Sequence, residues 1–210
     1  MATDSLDKAE YPVRYDIARE PTQNRLTNFP LGIGSFIRSI LLIPHLIILY
    51  FLGIVGAIVY FIATFAILFT GKYPSGLFNF YVGFQRWNSN AYAYLASLYD
   101  KYPPFSMDSQ EGYPLTLSVD YPPNFNRILN FPLFIGLTIK LILTIPHLII
   151  LSFLFLAAFI VVFIAQFAIL FTGSFPEGMH AFVTGVGRWW MRVNAYVYGL
   201  TDSYPPFSLK

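Results

Sequence analysis

The chain has 210 residues, 56% hydrophobic, 19% aromatic and 11% charged, against roughly 25% charged in an ordinary soluble domain; a mean hydropathy of +0.56 points to a membrane protein. The 13 Lys and Arg against 11 Asp and Glu leave a net charge of +2 without a basic block, so nucleic acid is not an expected partner. With no cysteine, disulfides, thiolate catalysis and iron–sulfur ligation are excluded.

Residues 1–10 read as a polar N-terminal tail. The first thirty residues lack the apolar core and small-residue cleavage pattern of a signal peptide. From Tyr11 the chain is one unit written twice, at an offset of 102 residues. Residues 43–49 recur unchanged at 145–151, and residues 65–71 at 167–173. Asn28-Phe29-Pro30, Arg86-Trp87 and Tyr102-Pro103-Pro104-Phe105-Ser106 recur in the same register, Arg38 matches Lys140, and only Asp100 keeps an acidic counterpart, Asp202. Asn-Ala-Tyr at 90–92 and 194–196 sits at offset 104, which implies a compensating insertion and deletion in the last helix. The units are residues 11–106 and 113–210, with a linker at 107–112.

Each unit opens with period-two alternation, Val13, Tyr15, Ile17 and Leu115, Leu117, Val119, which predicts a short half-buried strand. An apolar run follows. No charged residue occurs over 39–71 or 141–176, 33 and 36 residues, more than the roughly 20 that cross a hydrocarbon core. One arrangement is an in-plane helix over 31–43, turning at Pro44 into a single crossing. The other is a helical hairpin, 33–51 and 54–69, bent at Pro44 and reversed at Gly53 and Gly56. The hairpin is preferred, because it puts both strands and both C-terminal helices on one face. Pro44 and Pro146 are then helix kinks, and Arg38 and Lys140 snorkel to lipid headgroups; Arg86 and Arg188 are further headgroup candidates.

After each run comes an amphipathic aromatic helix, Leu77 to Leu98 in the first copy, read as lying in the membrane interface, with packing against the strands or a partner subunit as the alternative. Trp87, Trp189, Trp190 and Tyr94 are its candidate interface residues. The closing Tyr-Pro-Pro-Phe-Ser is read as covering its own unit's sheet, with docking in an aromatic groove as the alternative. The expected fold is therefore mainly α: two tandem pseudo-symmetric units, each a short strand, a bent apolar helix or helical hairpin, and an interfacial helix.

Chemistry is sparse. His45 and His147 occupy matched sites and could ligate haem, although a bond to a carbonyl freed by the adjacent proline is the simpler role. No acidic residue lies in either run, and Gln166 reads as an interhelical hydrogen-bond donor. There is no phosphate loop, nucleophile elbow or His-Glu-x-x-His spacing. No metal, cofactor or catalytic residue is expected.

Phe69-Thr70-Gly71 followed by Pro74, Leu77, a Tyr-rich helix and the Pro-Phe ending resembles a bacterial family of small membrane proteins with a domain of unknown function. The resemblance covers both units and implies no reaction. The expectation is a non-enzymatic scaffold or accessory subunit of the bacterial inner membrane, multi-pass, with its soluble portions cytoplasmic. Its expected partners are membrane lipids and other membrane subunits or itself. The alternative is binding or transport of a lipid or apolar ligand between the repeats, with a haem-bearing subunit a third reading.

Overall fold

The computed structural model describes residues 11–210; the polar tail at 1–10 lies outside the described residues. Strand β1 (Val13–Ile17) leads into helix α1 (Ile33–Thr70) and helix α2 (Ser75–Leu95). Strand β2 (Leu115–Val119), helix α3 (Ile135–Thr172) and helix α4 (Glu177–Val197) repeat the order.

Each apolar run is one continuous helix of 38 residues. This corrects both the hairpin and the break at Pro44. A glycine in a helix costs about 1 kcal/mol relative to alanine, too little to reverse a run whose backbone is otherwise hydrogen-bonded throughout. Gly53 and Gly56 instead face α2, where an added Cβ would make ordinary van der Waals contact, at 3.7 Å from Phe84 and 3.6 Å from Tyr81 respectively. Pro44 and Pro146 sit inside α1 and α3. In the turn each proline loosens, a tyrosine from the Tyr-Pro-Pro-Phe segment donates to a backbone carbonyl, Tyr102 to Leu41 at 2.7 Å and Tyr204 to Leu143 at 2.9 Å. Each helix ends on a left-handed glycine, Gly71 or Gly173, whose N–H returns to the carbonyl four residues back.

Helix α2 folds back antiparallel along α1, which brings Tyr94 to Arg38, Trp87 to His45 and Tyr81 to Gly56. The aromatic helices accordingly pack between the long helices and the strands. Phe78, Tyr81, Trp87 and Tyr94 are buried in α2, as are Val186, Trp189 and Tyr196 in α4. Their far side is covered by the strands, which are exchanged between units: β1 packs on α4, and β2 on α2.

The strands pair antiparallel with Tyr15 opposite Leu117, and Val13, Tyr15, Ile17, Leu115 and Leu117 face inward. Because 15 and 117 are equivalent positions, an approximate twofold axis passes through the centre of the sheet. The same axis makes α1 and α3 antiparallel. The Gly71 carbonyl accepts from Phe125 N–H at 2.9 Å, that of Gly173 accepts from Gln23 N–H at 2.7 Å, and Gln166 Nε2 on α3 donates to Ser35 Oγ on α1 at 2.9 Å. Three layers result: α1 with α3, then α2 with α4, then the sheet and the C-terminal tails. The offset of 102 holds throughout, since Tyr94 and Tyr196 occupy equivalent places over Arg38 and Lys140. The apparent offset of 104 is a chance recurrence of three residues.

Candidate functional site

Two clusters are built once in each unit. In the first, the Arg38 guanidinium is wholly buried with all five of its N–H groups donated. Nε bonds the Thr27 carbonyl at 2.9 Å, Nη1 the Tyr94 and Tyr99 carbonyls at 2.6 and 2.8 Å, and Nη2 the Asn28 amide oxygen at 2.8 Å and the Asp100 carboxylate. In the second unit the equally buried Lys140 donates to Asn130 at 2.8 Å and more distantly to Asp202 at 3.4 Å. Asn28 and Asn130 in turn donate to the same carboxylates, at 2.7 and 2.8 Å. These cations tie the start of the long helix to the end of the aromatic helix. They do not reach lipid headgroups, because a charge on this buried face is stabilised only by its carboxylate and carbonyl partners.

In the second cluster, Trp87 Nε1 donates to His45 Nδ1 at 2.8 Å, and Phe105 stacks on the imidazole at 3.8 Å. Trp189, His147 and Phe207 repeat this at 2.9 and 3.8 Å. A neutral imidazole that accepts at Nδ1 carries its proton on Nε2, so ligation would require breaking the tryptophan bond. Each histidine is enclosed by its own unit's aromatic residues, and neither bonds the carbonyl freed by the adjacent proline. The Tyr-Pro-Pro-Phe segment covers α1 and the histidine rather than the strand. Among the described residues, no group of three or more His, Asp or Glu could hold a metal ion.

Between the units lies a cavity of about 1000 Å³, walled by α1 and α3 and floored by α2 and α4. No charged side chain lines it. Burial raises the Tyr81 phenol far above its ordinary pKa, which leaves a neutral hydroxyl at the wall. The two sides of the floor are unequal. At equivalent positions α2 presents Gln85, Asn88, Ser89 and Tyr92, and α4 presents Gly187, Trp190, Met191 and Asn194. Gln85 Nε2 donates to Asn194 Oδ1 across the floor at 3.1 Å, and Phe155 meets Trp190 edge to face at 5.7 Å.

A family profile described as a domain of unknown function, DUF4389, matches residues 33–107 and 135–208. The chain belongs to the DUF4389 family. It carries the domain as a tandem duplication. No curated protein and no solved structure matches the chain.

Both buried cations, both histidines and both tryptophan partners fall within the two DUF4389 units. Arg86 and Arg188, expected at headgroups, instead anchor the sheet. Arg86 donates to the Leu117 and Met107 carbonyls, and Arg188 donates to the Tyr15 and Leu209 carbonyls and pairs with Asp16 at 2.7 Å. Trp87, Trp189 and Tyr94 are core residues, whereas Trp190, 38% exposed, lines the cavity. The Asn28 and Asp100 roles were missed from sequence. Their signal was present in the recurrence of Asn28 and Asp100 beside a recurrent cation at position 38.

Proposed function

We propose that the chain is a non-enzymatic protein of the bacterial inner membrane that holds one uncharged amphiphile in the cavity between its repeats, its sheet and loops on the cytoplasmic side. The observation that carries this is the lining of the cavity. Its volume is at the top of the range of about 300–1000 Å³ that holds a drug-sized ligand. The α2 side of the floor offers the amides and hydroxyls of Gln85, Asn88, Ser89 and Tyr92, whereas the α4 side offers, besides the Asn194 amide, the Trp190 indole and the Met191 thioether, with the α3 phenyl rings of Phe155, Phe159 and Phe163 forming the wall. A hydrogen-bonding head and a hydrocarbon tail match these two sides. A charged head would be buried without a counter-charge, at a cost of several kcal/mol. A scaffold or accessory subunit would use the exposed apolar faces of α1 and α3 and leave the polarised cavity unexplained, so ligand binding is the preferred reading.

The test is titration of the detergent-purified chain with mono-oleoylglycerol, read by tryptophan fluorescence. We expect a saturable one-site response that disappears in Trp190→Ala, with oleate anion binding at least about tenfold more weakly. No saturable response, or equal affinity for the anion, would refute the proposal.

A further inference from the structure

We infer that α1 and α3 lie flat within one leaflet of a bilayer, side by side and parallel to its plane, so that the chain is embedded in the membrane without crossing it. The inference does not depend on what fills the cavity, and it replaces the multi-pass expectation.

Three observations carry it. The first is the height of the sheet. Arg86 stands halfway along α2 and Arg188 halfway along α4, and they bond the carbonyls of Leu117 and Tyr15, the central pair of the sheet. The strands therefore lie level with the middle of all four helices. If α1 crossed a bilayer, the sheet would sit at mid-membrane depth, with its Arg14–Asp120 pair about half exposed (side chains 49% and 53%) and Asp16 68% exposed. Charges there are expensive and find no water. With α1 and α3 in the plane, the twofold axis stands along the membrane normal and the same charges face water.

The second observation is length. A helix of 38 residues extends roughly 57 Å at 1.5 Å per residue, about twice the hydrocarbon thickness of ~30 Å. Its diameter of about 10–12 Å fits within one leaflet.

The third is the chemistry of the exposed face. From Ile33 to Thr70 and from Ile135 to Thr172 it carries no charged residue. The exposed hydroxyls of Thr70, Thr138, Ser152 and Thr172 each donate to a carbonyl of their own helix. A protein partner would be expected to find about one hydrogen bond per 100–200 Å². This surface offers almost none and suits acyl chains.

The cysteine-free sequence allows single-cysteine variants of the full chain, labelled in right-side-out and inside-out membrane vesicles with an impermeant maleimide. Thr22→Cys and Lys72→Cys flank α1, and Thr116→Cys marks the sheet. We expect all three to label from one side. Spin labels at Phe36, Phe51 and Phe69 should report depths that agree within about one helix diameter. Labelling of positions 22 and 72 from opposite sides, or ends of α1 separated in depth by the bilayer thickness, would overturn the inference.

Discussion

Replacing Asp100 by Asn should destabilise the chain out of proportion to the loss of one hydrogen bond. Asp100 accepts from Arg38 Nη2 and, at 2.7 Å, from Asn28 Nδ2. The guanidinium it faces is fully buried, whereas its own side chain is 22% exposed. Removing one partner of a buried pair costs about 3–5 kcal/mol, because the other charge stays desolvated. Water at Asp100 places this case near the lower end, about 3 kcal/mol. Arg38→Met removes the charge but strands the carbonyls of Thr27, Tyr94 and Tyr99, for about 4 kcal/mol. The double variant leaves no charge uncompensated and should be less damaging than the sum by at least 1.5 kcal/mol or so, the coupling expected of residues in one network. Guanidinium unfolding in mild detergent, followed by circular dichroism, measures all three. A cost for Asp100→Asn below about 1 kcal/mol, or additive single effects, would refute the view that this pair joins α1 to the end of α2.

The second unit gives a graded companion: Asp202→Asn should cost less, about 2 kcal/mol, since Lys140 Nζ stands 3.4 Å from the carboxylate, and Lys140→Arg should gain up to about 1 kcal/mol in the same unfolding assay by reaching carbonyls a lysine cannot. Gly34→Ala should lower stability by more than about 2 kcal/mol, as its Cβ would stand 2.7 Å from the backbone of Phe29. Gly76→Ala, with nothing within 4 Å, should raise stability by about 0.5–1 kcal/mol; thermal melts separate the two. Burial pushes the His180 imidazole below its ordinary value of 6.5. The folded chain then binds fewer protons than the unfolded one beneath that pH, so His180 contributes stability that is complete above roughly pH 6.5 and drains as pH falls through the window below. His180→Gln should flatten that limb of a pH–stability curve. Trp87→Phe should cost about 1–2 kcal/mol in the unfolding assay by leaving His45 Nδ1 buried without its donor.

Local pattern was informative where one face meets one core. Period-two alternation located both strands, and the constant offset defined the repeat. Gln166 donates between helices as its isolated position in an apolar run suggests. What escaped local reading depends on which segments meet. A cation in an apolar helix reads equally as a snorkelling headgroup ligand or as half of a buried pair, and only the fold brings Asp100 to Arg38 across 62 positions. The aromatic helix reads as half-exposed while its own unit alone is considered, because its second cover is a strand from the other repeat. The cavity is invisible in a single unit, since each repeat supplies half of it.

Strand exchange has a consequence for descent. A polypeptide holding one repeat would leave its strand without a mate and the back of its aromatic helix bare, so such a molecule completes itself only as a symmetric pair. In a pair of identical copies, every substitution on the cavity floor appears twice, and the two sides stay alike. Covalent fusion lifts that restriction: the position equivalent to Gln85 is Gly187, and that equivalent to Asn88 is Trp190. The duplication thus did more than tether two copies; it let the two sides of a palindromic chamber differ.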